Sequence, residues 1–168
     1  EEILSDMLMW KAKGRTALID SVYLGLEKLR REARHARKAL LVISDGQDNN
    51  SRYTLSELRS FAVETDTQIY TIDIHNDALT VEVLRGSELL RDIAERTGGR
   101  YFRSRSLAGL SDIAVKIGIA LHNQYVLGYR PPEDMQPGKY RKIRVRLQSP
   151  RGLPKLHVYA RSGYYAPE

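Results

Sequence analysis

Lys38-Ala-Leu-Leu-Val-Ile-Ser44, followed at once by Asp45-Gly-Gln-Asp-Asn-Asn-Ser51, decides how the rest of the chain reads. The first seven residues are apolar between polar ends, the pattern of a strand buried on both faces, as a parallel sheet requires. The next seven form a turn-rich loop. Upstream, Leu18, Val22, Leu26 and Leu29 recur at helical spacing with Glu27, Lys28, Arg30 and Arg31 opposite them, which predicts an amphipathic helix over 17–34. Downstream, Thr54-Leu-Ser-Glu57 has the spacing of a capping box and opens a helix to about Thr65. Gln68–Ile74 is a second buried strand. A long loop then leads to a helix from Ser87 to Thr97, stopped by Gly98-Gly99. Tyr101-Phe102 starts a short strand, and Leu110, Ile113, Ile117 and Leu121 mark a last helix. Strands alternating with helices predict an α/β fold with a Rossmann-like, doubly wound, mostly parallel sheet.

Near Asn123 the pattern changes. Gln124–Tyr129, Tyr140–Gln148 and Lys155–Arg161 read as strands with no helix between them, joined by Pro131-Pro132, Pro137-Gly138 and Pro150-Arg-Gly152. Ile143, Val145 and Leu147 share one face of the second strand, and Lys142, Arg144 and Arg146 the other. In the third, Leu156, Val158 and Ala160 oppose Lys155, His157, Tyr159 and Arg161. The expected organisation is an α/β domain over 1–122 and an antiparallel, basic β extension over 123–168.

Charge divides the chain at the same place. Residues 1–123 balance 18 basic against 18 acidic residues, whereas 124–168 carry nine basic residues and three acidic ones, the whole of the net +6. A basic strand face with Tyr125, Tyr129, Tyr140, Tyr159, Tyr164 and Tyr165 nearby suits polyanions, but such faces are usually just solvated, and no specific nucleic acid is expected.

Other chemistries fall away. The chain has no cysteine, which removes disulfides, thiolate metal sites and cysteine nucleophiles. Its longest apolar run, Ala39–Ile43, is far short of a membrane span. Glu1-Glu2-Ile3 lacks the basic and apolar regions of a signal peptide and has no initiator Met, so residues upstream are expected. Ser21, Ser44 and Ser51 lie in no Gly-x-Ser-x-Gly context, and no glycine-rich phosphate loop is present. His35, His75, His122 and His157 are scattered and read as surface or capping residues. Met7–Trp10 reads as packing on a helix.

What remains is Asp45, directly after a buried strand, and Thr16, in the loop opening the first helix. Both belong at the carboxyl ends of parallel strands, where α/β sheets place their sites. A carboxylate and a hydroxyl are hard oxygen donors suited to Mg²⁺. The plainer readings are a helix cap for Thr16 and a strand-ending turn for Asp45-Gly46. Asp48, Asn49 and Asn50 read as a solvated loop rimming the site, and Asp73 as a polar strand end.

Gly14-Arg-Thr16-Ala-Leu-Ile-Asp20 and Leu41-Val-Ile-Ser-Asp45-Gly-Gln-Asp48 resemble the second and third parts of the metal-ion-dependent adhesion site of von Willebrand factor A domains. Leu90–Phe102 resembles the late helix-turn-strand of bacterial members. Gln124-Tyr-Val-Leu-Gly-Tyr-Arg-Pro131 resembles the junction to the β extension in the acidobacterial-type von Willebrand factor A-related family. The resemblance implies a non-enzymatic adhesion module in which Thr16 and Asp45 hold Mg²⁺ (Mn²⁺ or Ca²⁺ being the alternatives). An Asp or Glu of a protein partner completes the coordination. It also implies export, to the cell envelope or beyond. The family's Asp-x-Ser-x-Ser motif and its strand are not in this sequence. The chain therefore corresponds to the C-terminal portion of such a domain, with strand 39–43 left as an apolar edge for another segment or chain to complete. Two rivals stand beside this reading. One is a metal-free scaffold that assembles through the basic extension. The other is a phospho-accepting receiver domain using Asp45, which needs an earlier acidic pair and a later Lys that are not visible.

Overall fold

In the computed structural model, the described residues are 15–75, 80–106, 108–132, 136–148, 152 and 156–166. The expectations for Met7–Trp10 and Gly14 lie outside them. Helix α1 (Leu18–Glu32) precedes strand β1 (Lys38–Ser44). Helix α2 (Leu55–Glu64), strand β2 (Thr67–Asp73), helix α3 (Val81–Arg96), strand β3 (Tyr101–Arg103) and helix α4 (Ala108–His122) follow. Strands β1, β2 and β3 form a parallel sheet in that order, and β4 (Tyr140–Lys142) pairs antiparallel with β5 (Gly163–Tyr165). The architecture is mixed α/β.

Alternation along the strands divides the core. Leu40 and Val42 of β1, Ile69 of β2 and Tyr101 of β3 meet Leu18, Val22 and Leu26 of α1, Leu58 and Phe61 of α2, and Leu90 and Ile93 of α3. The opposite face carries Tyr70, Ile72 and Phe102 against Ile113 and Ile117 of α4. Three helices therefore cover one face and a single helix covers part of the other.

That asymmetry corrects the expectation for β1. Leu41 and Ile43 stand in register with Tyr70 and Ile72 but are 48% and 49% exposed, because α4 reaches β2 and β3 and not β1. β1 is thus buried on one face only among the described residues. Helix α4 repeats the pattern: Ile113 and Ile117 are buried, while Val115 and Ile119 are open on its outer side.

Helix boundaries follow their caps. Thr54 accepts from the Glu57 backbone N–H at 3.2 Å while the Glu57 carboxylate accepts from the Thr54 N–H at 2.7 Å, which is the expected capping box. Helix α3 begins at Val81, six residues before the expected Ser87, because Thr80 caps it by accepting from Val83 N–H.

The extension departs most from expectation. Gln124–Arg130 has no ladder partner among the described residues, and Tyr125 is 93% exposed. Of the expected strand 140–148 only Tyr140–Lys142 pairs, and its partner is Gly163–Tyr165 instead of the 155–161 stretch. Val145, Leu147, Leu156 and Val158 remain partly exposed, so their faces form no closed core. What fixes the extension is Arg161, which pairs with Thr97 and donates to Asp66 Oδ1 at 2.7 Å and Val63 O at 2.8 Å. Ser162 N–H donates to Arg96 O, and the Ser60 and Tyr165 hydroxyls meet at 3.3 Å. No helix among the described residues is long and apolar enough to cross a membrane.

Candidate functional site

The carboxyl ends of the three parallel strands are level: Ser44 pairs with Asp73, and Asp73 with Arg103. Around this rim gather the loop after β1 and the starts of α1 and α3.

The N-cap of helix α1 is Ala17, whose side chain caps nothing. The β1 loop supplies the caps from a distance: Asp48 Oδ1 accepts from Ile19 N–H at 3.2 Å and Ser51 Oγ from Asp20 N–H at 3.1 Å. The Asp20 carboxylate reciprocates, accepting from Tyr53 N–H at 2.9 Å and from Arg52 N–H. The Tyr53 and then the Arg52 backbone bonds hold its pKa below the usual carboxylate range. Thr16 donates its N–H to Asn49 Oδ1 at 2.9 Å, and its carbonyl accepts from Asn49 and Asn50 N–H at 3.0 and 3.1 Å. Thr16 is therefore not the helix cap; its backbone is stitched to the β1 loop. Asp48 has a structural role as a cap, in place of the solvated role expected for it.

Asp45 closes a turn, accepting from Gln47 N–H at 3.1 Å, and is partly exposed. Gly46 has a φ of +78°, and a Cβ there would fall 2.4 Å from the carbonyl of Gly86 in α3. Loop and helix meet backbone to backbone. Both candidate ligands, Thr16 and Asp45, thus lie on one rim with their side chains reaching solvent.

As a metal centre this is a sparse site. Among the described residues no cluster of three or more His, Asp or Glu fits around a cation. One carboxylate and one hydroxyl suit a hard ion that retains most of its water, which is the habit of Mg²⁺.

Beside it lies a constellation that sequence reading missed. Asp73, with 0% exposure, accepts from Ser87 Oγ of α3 at 2.6 Å, from the Tyr101 hydroxyl of β3 at 2.6 Å, and from His75 Nδ1 at 2.5 Å. Burial pushes its pKa up, but the bonds from Ser87, Tyr101 and His75 outweigh burial and hold it below the usual carboxylate value. Burial, and then the Asp73 carboxylate, push the Tyr101 phenol up. His75 is no surface residue: its side chain is 4% exposed, and its Nε2 lies 2.6 Å from the Arg103 guanidinium. Guanidinium only donates, so Nε2 must accept and Nδ1 must carry the proton. The available signal was Asp73-Ile-His75, two polar residues two apart at the end of a buried strand, hence on one side of it.

No family model and no curated protein matches the chain. A crystal structure titled as an uncharacterized membrane spanning protein from Vibrio fischeri is similar at 22% identity and a TM-score of 0.43, over 52% of this chain and 48% of that one. This chain thus spans about half the length of that structure.

Proposed function

We propose that the chain is a protein-binding module of the von Willebrand factor A type, Rossmann-like, which takes an acidic partner residue through a Mg²⁺ ion held by Thr16 and Asp45. The observation that carries the reading is the stitching of the Thr16 backbone to the β1 loop by three hydrogen bonds, one from the Asn49 side chain and two from the Asn49 and Asn50 N–H groups. These set a hydroxyl and a carboxylate on the same rim of a parallel sheet. The carboxylate would hold the ion, directly or through water, and the hydroxyl would turn to it when the partner's acid arrives. The remaining positions are water, so the ion stays open to exchange. Binding by shared coordination makes and breaks no bond in the partner, so no catalysis is assigned.

The experiment is Mn²⁺ titration followed by electron paramagnetic resonance, with calorimetry for Mg²⁺. Saturable binding below about 10 mM, weakened at least about tenfold in Asp45→Ala and also reduced in Thr16→Val, is the expected result. Binding that survives both substitutions, or none in that range, removes the cation from the mechanism.

A second reading has its own observation. Lys142, Arg144 and Arg146 are all exposed on the extension, a basic strip that suits an acidic surface. On that reading the rim is inert, and assembly runs through these side chains.

A further inference from the structure

Helix α4 packs on β2 and β3 and stops short of β1. At the amino ends of the strands the gap is an open pocket of about 420 Å³, between the turn joining α1 to β1, Gln68 of β2 and the end of α4. His35, Arg37 and Lys38 line it beside the amides of Gln68 and Gln124, and Leu121 adds an apolar side. No acidic residue lines it. Among the described residues none of the three basic side chains is paired with a carboxylate. Gln68 Oε1 accepts from the Gln124 amide and from the Tyr70 hydroxyl at 3.4 Å, which leaves the Gln68 NH₂ group as a donor with no bonded acceptor among those residues.

Basic residues near a helix C-terminus ordinarily answer its dipole. Here Arg30 and Arg31 already stand in the last turn of α1, and 35–38 lie beyond the turn over which the dipole acts. A cluster of unmatched donors around a cavity calls for another account.

We propose that this pocket is a binding site for a phosphate monoester, separate from the rim. The seven-residue length of β1, roughly 20 Å, divides Lys38 from Ser44. The ligand class follows from the donors. Arg37 and Lys38 are two permanent cations, which match the nearly double negative charge of a monoester where a carboxylate offers one. The guanidinium fork takes two phosphate oxygens side by side, and the ammonium adds a point charge. The Gln68 NH₂ supplies a neutral donor, and so does the His35 ring, which carries an N–H in either charge state. Leu121 and Ala39 offer apolar contact to the organic body of the ester, for which the pocket has room beyond the phosphate itself.

The test uses the whole chain in EDTA with glycerol 3-phosphate as the probe. Binding is followed through the side-chain NH₂ resonances of Gln68 and Gln124 and the Arg37 Nε–Hε resonance. The expected result is saturable binding with a Kd of about 1 mM or tighter, no shift with glycerol, and acetate weaker by at least about tenfold. Arg37→Gln with Lys38→Gln should weaken the ester at least about tenfold at an unchanged melting temperature, since neither side chain belongs to the core. Arg37→Lys keeps the charge and loses the fork, and should cost about threefold. Asp45→Ala should bind like wild type, and so should Arg144→Glu with Arg146→Glu, so the outcome is independent of the rim and of the basic extension. Acetate binding as tightly as the ester overturns the ligand class. No saturation below about 10 mM overturns the site, as does binding that survives the Arg37 and Lys38 pair or falls equally in the Arg144 and Arg146 pair. A second arm separates the sources of the ester. Co-sedimentation with phosphatidic acid vesicles, lost in the Arg37 and Lys38 pair, assigns it to a lipid headgroup; binding of glycerol 3-phosphate without retention on vesicles assigns it to a small molecule.

Discussion

The rim of the parallel sheet and the basic extension show two ways of holding chain in place. At the rim, polar groups are matched with one another: the fully buried Asp73 takes three donors, and the half-buried Asp48, Ser51 and Asp20 tie α1 to the β1 loop. In the extension, three-residue strands leave their apolar side chains half open, and the attachment runs through Arg161 and Ser162 to the ends of α2 and α3. A buried network is costly to damage, because each broken bond leaves a group that water cannot reach; an exposed strip is cheap to change. The rim is therefore where substitutions should register as stability, and the extension where they should register as binding.

The largest effect should follow Asp73→Ala, which strands three donors in a dry site: a loss of about 3–5 kcal/mol, read from denaturant unfolding. A loss below about 1 kcal/mol would put the rim on the same footing as the extension. The same carboxylate gives the pH dependence its sign. Its pKa is lower folded than unfolded, so its contribution is present above the unfolded carboxyl value of about 4 and disappears as pH falls through the folded value. Asp73→Asn should flatten the acid limb of the unfolding curve.

Next comes Gly46→Ala, which combines a left-handed φ with a collision against the Gly86 backbone and should cost about 2–3 kcal/mol in thermal melts. Thr54→Ala, removing the capping box of α2, should cost about 1 kcal/mol, and Thr54→Ser much less. The smallest effect on stability belongs to Arg144→Glu with Arg146→Glu, within about 0.5 kcal/mol. If the extension is the binding surface, the same pair abolishes retention on heparin and leaves Mn²⁺ titration untouched; retention that persists removes the second reading.

The contrast also explains what could be read from sequence. Local periodicity located α1, both long strands, the capping box and α4, because each carries its own pattern: Leu18–Val22–Leu26 for a helix face, Thr54–Glu57 for a cap. Burial on both faces of β1 was not local information, since it depends on whether α4 spreads over Leu41 and Ile43. The extension was misread for a related reason. Alternation at 155–161 marks a segment able to form a strand, but pairing is chosen by its neighbours, and Gly163–Tyr165 took the place beside Tyr140–Lys142. At the rim, the positions of Thr16 before a helix and Asp45 after a strand were legible in the sequence, because each adjoins a regular element with its own pattern. The partners of Asp73 were not, for Ser87, Tyr101 and His75 come from three elements, and only the fold brings them to one carboxylate.

The contact of Gly46 with Gly86 carries one more consequence. Backbone against backbone leaves no side chain between the β1 loop and helix α3 to flex, and the residue after Gly86 is Ser87, whose hydroxyl grips Asp73. From Asp45 to Arg103 the rim is then a short train of stiff parts, each seated on the next. A side chain added at Gly46 would therefore press on Gly86 and, through its neighbour Ser87, on the hydroxyl that holds Asp73.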